Sequence, residues 1–449
     1  MTHPFPLPPE DRRLETRLPD AKARYSPAEA RAEAERCIAC HDAPCVKACP
    51  TGIDVPLFIK KIATGNTRGA AKTILDANIL GWSCGRVCPV EVLCAGACVY
   101  NDWHREPIHI GKLQRFATEW LLDQEASGAP RLLQPKARRA DARSVALVGA
   151  GPASLACAAH LSLEGHRAVI LERGALPGGL NTTGVAPYKL HAQDSLREVE
   201  WVLSLGAELQ TAVEVGRTVS AEALLAQYDA VFLGLGLGAD TRLGVPGEDG
   251  EGVHGATEYI EKLKNSADFS VSSGTRAVVV GGGNTAIDAA RELAGLGLRE
   301  VTMVYRRDVA QMSGYAHELE GARLAGVRFL ERSQPVAVRR DTGGGVTGLE
   351  LAPTREGRVT EGERRVVPCD LVLLAIGQSK LRSLAAQFPG VALDARGCVV
   401  VDPVTKRTGS GKVYAGGDCV NGGKEVVNAV ADGRDAARAM MAGWSVRDG

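Results

Sequence analysis

Eight of the twelve cysteines fall between positions 37 and 98, in two runs: Cys37-x2-Cys40-x4-Cys45-x3-Cys49-Pro50 and Cys84-x3-Cys88-Pro89-x4-Cys94-x3-Cys98. Thiols at this density either hold a metal centre or pair as disulfides, and each choice dictates a different fold. An iron–sulfur cluster needs four thiolates converging from different turns, and a Cys-Pro step at the end of a cysteine run accompanies such sites. In two-cluster arrangements the last cysteine of one run often ligates the other cluster, which interleaves the quartets. Structural zinc is the alternative; it favours CxxC pairs, and these runs contain one. The N-terminal MTHPFPLPPEDRRLETR has no apolar core region and no small-residue cleavage site, so it is not a secretory signal. A cytoplasmic location is expected, and disulfides are disfavoured there. Cys157, Cys369, Cys398 and Cys419 stand singly and are expected as buried small hydrophobes.

The length of 449 residues suggests about three domains. Lys plus Arg (53) equals Asp plus Glu (53), so no global positive field exists to gather nucleic acid or an acidic membrane. No apolar run approaches the ~20 residues of a membrane span. Residues 1–25 are polar and Pro-rich and read as an extended arm. Residues 26–125 read as a helical domain holding the eight cysteines. It opens with Ser26 as N-cap, Pro27 in the first turn and Glu29 completing a capping box. Apolar residues at 57, 58 and 62, and at 70, 74 and 75, carry a helical period. A polar, basic stretch over 126–142 reads as a linker.

Beyond the linker the pattern changes. SVALVGAGPASLACAAHLSLEGHRAVILER is a strand, a glycine turn, a helix and a second strand, and RAVVVGGGNTAIDAARELAGLGLREVTMVYR repeats the unit at 276–306. Two βαβ units of this kind imply two dinucleotide-binding domains. In the first, Gly149 allows the tight turn and Gly151 lets backbone approach a pyrophosphate. Ala150, Pro152 and Ala153 open the helix, and Ser154 stands at the third small position. Glu172 ends the second strand, where a carboxylate accepts from ribose hydroxyls. Gly178-Gly179-Leu180 and Gly417-Asp418, whose carboxylate suits a ribityl chain, favour FAD. In the second unit Arg306 and Arg307 follow the second strand, where an acidic residue would bind an unphosphorylated ribose. Arginines suit a 2′-phosphate, so NADP(H) is favoured, although Asp308 follows directly and keeps NAD(H) open. The FAD domain is expected over 143–250 and 370–449, with the nicotinamide domain, 251–369, inserted between. The fold class is therefore α/β with an N-terminal all-α iron–sulfur domain.

RCIACHDAPCVKACPTGIDVPLFI, CGRVCPVEVLCAGAC and IHIGKLQRFATE, together with both glycine turns and AGGDCVNGG, resemble the flavin–iron–sulfur half of dihydropyrimidine dehydrogenase. In bacteria that half is a separate chain, the PreT-type subunit, and the small subunit of glutamate synthase shares its architecture. PTGIDVPLFI and GKLQRFATE favour the pyrimidine enzyme. The resemblance implies two [4Fe-4S] clusters, one on Cys37, Cys40, Cys45 and Cys98, the other on Cys49, Cys88, Cys94 and Gln114. The glutamine would leave Cys84 free, whereas the residues alone make Cys84 the eighth ligand. The resemblance also places FAD on Gly149 to Ala153, on Glu172, Arg173 and the stretch to Leu180, on Lys189 and Val215, and on Gly417 to Val426. Lys189 replaces an Arg of the mammalian enzyme, keeping the charge but not the fork. NAD(P) contacts are implied at Gly282, Gly283, Asn284 and Thr285, at Arg306 and Arg307, and at Ala375, Ile376 and Gly377. Ser313 stands where the mammalian enzyme has a further Arg, which again keeps NAD(H) open.

The chemistry implied is hydride transfer from NAD(P)H to FAD, then single electrons through the clusters to a partner. Hydride transfer needs no side-chain acid or base, so no catalytic residue is expected. No FMN barrel or substrate-reducing domain is recognisable after residue 445. Reduction of uracil or thymine to the 5,6-dihydro form is therefore expected on a separate FMN- and iron–sulfur-containing PreA-type subunit, in a heteromer with neither nucleic acid nor membrane. The alternatives are a glutamate synthase (NADPH) small subunit, a stand-alone NAD(P)H:ferredoxin oxidoreductase, and a scaffold that keeps FAD as a structural element.

Overall fold

The computed structural model describes residues 4–138 and 140–445. Helices α1 (Pro27–Glu35), α2 (Pro44–Lys47), α3 (Val55–Ala63), α4 (Thr67–Ala77), α5 (Gly81–Val87) and α6 (Ile110–Ala126) form the cysteine-bearing domain. The expected capping box opens α1: Ser26 accepts from the Glu29 N–H, and Glu29 accepts from the Ser26 N–H. Phe58, Ile62, Ala70, Ile74 and Leu75 point into its core, whereas Leu57, expected on the same face, stays 40% exposed.

The first α/β unit follows: β1 (Ser144–Val148), α7 (Pro152–Leu163), β2 (Arg167–Leu171), α8 (Leu180–Thr183), α9 (Ala192–Leu203), β3 (Glu208–Gln210), α10 (Ala221–Gln227) and β4 (Ala230–Leu233). The second contains β5 (Val253–Gly255), α11 (Ala256–Asn265), β6 (Arg276–Val280), α12 (Asn284–Gly295), β7 (Glu300–Val304), α13 (Ala316–Leu324) and β8 (Arg328–Leu330). Antiparallel strands β9 (Ser333–Arg340), β10 (Val346–Arg355), β11 (Arg358–Val359) and β12 (Arg365–Pro368) make a small sheet before β13 (Leu371–Leu374). The chain closes with α14 (Arg382–Ala385), β14 (Val413–Ala415), α15 (Asp418–Asn421) and α16 (Val426–Ser445).

Strand order is β14-β4-β1-β2-β3 in one parallel sheet and β5-β13-β6-β7-β8 in the other. The strands read as continuous apolar runs because helices cover both faces of each sheet. The protein is thus an α/β fold with an all-α N-terminal domain. One expected boundary moves. The sequence pattern returns the chain to the FAD domain at residue 370, but Leu371–Leu374 pairs with β6 and β5 in the second sheet. Return to the first sheet comes at β14. A strand-to-glycine exit looks the same in either sheet, so the local pattern could not assign it. Among the described residues, no helix is long and apolar enough to cross a membrane.

The N-terminal segment differs most from expectation. Instead of an extended arm it is a strap with turns at Glu10–Arg12 and Leu14–Arg17. Leu14 and Leu18 pack with Ala186 and Tyr188 of the first α/β unit and Leu263 of the second. Arg13 and Glu15 are buried and paired with each other. Glu15 also accepts the Ala192 N–H at 3.0 Å, capping α9, and Arg13 reaches Gln193 at 3.2 Å. Two further ties join the units. Lys264 of α11, fully buried, donates to the carbonyls of Asn181, Val185 and Leu190 at 2.9–3.0 Å. Arg434 of α16 donates to the Thr51 and Ala77 carbonyls, at 2.6 and 3.0 Å, in the cysteine domain.

Removing one member of a buried ion pair strands the other charge, at a cost of about 3–5 kcal/mol. Glu15→Ala is expected to destabilise the protein on that scale, read by denaturant unfolding, while Glu10→Ala on the exposed side of the strap changes little.

Candidate functional site

A single cavity of about 1400 Å³ runs between the two α/β units. On its first side lie the β1–α7 turn, the end of β2, the start of α8 and the β14–α15 turn. Gly149 adopts φ +91°, and a Cβ there would sit 2.6 Å from the Gly234 carbonyl oxygen, so the turn requires glycine. A Cβ on Gly151 would meet nothing closer than the Gly179 Cα at 4.0 Å and would project into the cavity. Gly151 is also the N-cap of α7 and supplies no side-chain cap, so the first-turn N–H groups face the space where a pyrophosphate would lie.

Ala150, Pro152, Ala153, Arg173, Gly179, Leu180, Gly417, Asp418 and Val426 line the same side. Glu172 does too, and accepts the N–H groups of Ala150 and Gly174 at 2.8 and 2.7 Å. Burial pushes the Asp418 carboxyl up. Two expected residues do not line the cavity. Gly178 is tucked behind the turn, donating its N–H to the Ala150 carbonyl, and Val215 packs in the core beside β2.

Lys189 lines the cavity but is engaged, at 2.7 Å each, by Asp288 of α12 and Glu318 of α13. Burial opposes its ammonium, yet the two carboxylates outweigh burial and raise its pKa. Asp288 and Glu318 were not anticipated; Asp288 lies one turn beyond Asn284 on the face of α12 that meets the first unit. Tyr315 likewise joins the sides, its hydroxyl donating to Glu425 at 2.6 Å.

The second side holds Gly282, Gly283, Asn284, Thr285, Ala375, Ile376 and Gly377, with Arg306 and Arg307 at the end of β7. α12, like α7, starts on a glycine with no side-chain cap. Arg307 lies over the Tyr305 ring, 5.5 Å from its centre, and its buried Nε has no partner. Asp308 is committed elsewhere: it caps the following turn and pairs with Arg332 at 2.5 Å.

The thiols separate into two groups. Cys37, Cys40, Cys45 and Cys98 line one small cavity of about 30 Å³. Burial, then Cys37 and Cys98, push Cys45 up to about 12, and Cys37 is raised by burial, Cys40 and Cys98. In the second group Cys84 and Cys88 are buried together with Val427, with Cys49, Leu93 and Val426 packed against them. Cys88 is raised first by a hydrogen bond with Cys84 and then by burial, and Cys94 by burial, Cys88 and Cys49. Thiols that raise one another in this way can all become thiolates only around a cationic core, which is the donor set that an iron–sulfur cluster uses. Gln114 is buried on α6 and donates its amide N–H to the Gly81 carbonyl of α5 at 2.6 Å.

Residues 14–126 match the family described as dihydropyrimidine dehydrogenase domain II, 4Fe-4S cluster. Residues 143–433 match the family described as pyridine nucleotide-disulphide oxidoreductase. The chain belongs to the pyridine nucleotide-disulphide oxidoreductases. It is similar to the glutamate synthase [NADPH] small chain of Escherichia coli, 34% identical over 439 residues, covering 93% of this chain and 92% of that one. It is also 34% identical to the NAD-dependent dihydropyrimidine dehydrogenase subunit PreT of Escherichia coli, over a shorter 409 residues, covering 91% and 92%. Among solved structures, T. acidophilum thioredoxin reductase superposes with a TM-score of 0.55 at 22% identity, covering 68% of this chain and 99% of that one. The protein is therefore an oxidoreductase that joins a 4Fe-4S domain to a pyridine nucleotide-disulphide oxidoreductase fold. The thioredoxin-reductase likeness shows the fold alone, and no CxxC pair lies in the second α/β unit of this oxidoreductase.

Glu198 of α9 joins the two parts. Its carboxylate accepts the Trp82 N–H at 3.0 Å, the Ser83 N–H at 3.2 Å and the Ser83 hydroxyl, capping the thiol-bearing α5. Burial pushes Glu198 up to about 7 against those bonds. The folded state therefore binds a proton more tightly than the unfolded chain, and stability falls as pH rises from about 4.5 to about 7. At 1.36 kcal/mol per unit this amounts to roughly 3 kcal/mol. Unfolding free energies of wild type and Glu198→Gln, compared from pH 5 to 8, are expected to show this decline in wild type and its loss in the variant. Parallel curves would contradict it.

Proposed function

We propose that this chain is the electron-input subunit of a dihydropyrimidine dehydrogenase, taking electrons from NADPH and passing them through two [4Fe-4S] clusters to a partner chain. The observation that carries this reading is the position of Cys88. It lies between Val87 and Pro89, which both line the dinucleotide cavity, and it packs with Val426, which lines it too. The second thiol group thus stands at the wall of the cavity. Cys37, Cys40, Cys45 and Cys98 line a separate small cavity that shares no lining residue with the dinucleotide cavity, so in this reading the first thiol group lies beyond the second.

FAD suits the first side of the cavity, because the uncapped α7 terminus and the open face at Gly151 accept a pyrophosphate while Glu172 and Asp418 face the ribose and ribityl hydroxyls. A flavin held there takes hydride from nicotinamide and releases electrons singly to the clusters. The protein's part is to hold the two ring systems in one cleft, whose sides the Lys189–Asp288 and Tyr315–Glu425 contacts join. The cluster ligands in this reading are Cys37, Cys40, Cys45 and Cys98, then Cys49, Cys88, Cys94 and Gln114. Cys84 is the competing eighth ligand. Iron content of Gln114→Ala against Cys84→Ser decides between them.

NADPH is favoured over NADH because Arg307 carries an unpartnered nitrogen while Asp308 is turned to Arg332. The reading places the chain in the reducing cytoplasm, in keeping with twelve unbridged cysteines. The second reading, a glutamate synthase small chain, is favoured by the equal identity to that protein.

Anaerobic stopped-flow mixing of the reconstituted chain with NADPH and with NADH tests the electron-input reading. Flavin bleaching with about eight irons per flavin is expected, with NADPH at least tenfold more efficient. A charge-assisted hydrogen bond is worth ~1.5–3 kcal/mol, so Arg307→Ala should erase that preference. Uracil reduction that appears only on adding an FMN-containing partner subunit supports the pyrimidine reading. Stimulation by an amidotransferase with glutamine and 2-oxoglutarate supports the other. Uracil reduction by the isolated chain, or absent bleaching, contradicts the proposal.

A further inference from the structure

The strap that begins at the cavity, where Pro6 lines its wall, ends by delivering a lysine to the second thiol group. Lys22 Nζ donates to the backbone carbonyl of Cys88 at 3.1 Å. Two arginines fix the backbone that carries it. Arg115, which follows Gln114 on α6, hydrogen bonds the Lys22 carbonyl and pairs with Asp20 at 2.7 Å. Arg86, two residues before Cys88 on α5, pairs with Asp20 at 3.3 Å and with Asp194. The strap is therefore tied to both helices that frame the second thiol group. Among the neighbouring carboxylates Glu318 is engaged by Lys189 and Arg291. Burial lowers the Lys22 pKa, and Glu91 first and Cys88 next oppose that shift, so the ammonium acts on the Cys88 side as well as on Glu91.

We propose that Lys22 is a positioning residue for electron entry, its ammonium holding the cluster nearest the cavity at a higher reduction potential than the thiolates alone would give. The proposal rests on the electron-input reading. Reduction of a cluster adds one electron and, with no proton taken up, one negative charge. A half-buried positive charge held at the backbone of a ligand stabilises the reduced form, and charge and hydrogen bonding near the ligands are among the factors that set such potentials. Arg86 and Arg115 also carry charge near the cluster, but both are neutralised by Asp20, Asp194 and Glu119. Lys22 is a strap residue, so the strap both fastens the α/β units and biases the electron's position.

The test is an EPR-monitored redox titration of the cluster-loaded protein, with dithionite as reductant, on wild type, Lys22→Met, Lys22→Gln and Lys22→Arg. Gln keeps a donor for the Cys88 carbonyl without the charge. At fixed ambient potential, Met and Gln are each expected to lower the reduced-to-oxidised ratio of one cluster at least tenfold, about 59 mV for one electron. Arg restores most of it, and flavin bleaching by NADPH is unchanged in rate. Unaltered cluster ratios in both neutral variants at full iron content would overturn the proposal, as would equal shifts in flavin and cluster. Should Met lose iron, the Gln variant carries the decision. Clusters that titrate with dithionite in wild type yet stay oxidised with NADPH would overturn the electron-input reading instead, without touching the potential shift.

Discussion

The carboxylate of Glu198 on the N-terminus of α5 is the contact on which the arrangement depends. A seven-residue helix has no stability of its own, since nucleation in water is unfavourable and helices under about 12 residues are marginal. α5 persists because Glu198 satisfies its first N–H groups from the neighbouring domain, Gln114 donates to its Gly81 carbonyl and Arg86 reaches Asp20 and Asp194. That helix carries Cys84 and ends at Cys88. The same contact that caps it therefore sets how far the thiols stand from the cavity. A cluster domain joined only by the 126–142 linker would leave that separation to chance.

Charged groups, rather than apolar surface alone, make the other junctions. Lys264 lies among three carbonyls, Lys189 between two carboxylates, and the paired Arg13 and Glu15 reach Gln193 and the Ala192 N–H, each arrangement spanning two parts of the chain. Buried ions add little net stability over well-packed apolar groups, but an ion has few positions in which its bonds are all made. In a molecule that must hold two ring systems and the thiol groups in register, that geometric selectivity is worth its desolvation cost.

Much of this was legible in the sequence, where local spacing carries the information. The two cysteine runs, both glycine turns and the Ser26–Glu29 box are short-range patterns with a mechanical reason behind them. What escaped was long-range. Leu14 and Leu18 are too few to lift the strap above its polar, Pro-rich average, and their partners lie some 170–250 residues on. Glu198, Lys264 and Lys22 look like ordinary surface charges until the partner carbonyls and N–H groups are in place. The sheet that β13 joins is not legible from its own residues, because pairing depends on a neighbour strand, so the expected boundary at 370 falls short of the return at β14. Gln114 came only through resemblance, since an amide in a helix carries no ligand signature.

The central claim is the order: cavity, second thiol group, first thiol group. Single-turnover freeze-quench EPR with NADPH on Cys94→Ser and Cys45→Ser, each loaded with flavin and its remaining cluster, tests it most directly. The account expects Cys45→Ser to reduce its remaining cluster as fast as wild type. In Cys94→Ser the flavin should bleach while the remaining cluster lags by orders of magnitude. Equal rates in the two variants, or the reverse order, would contradict the account.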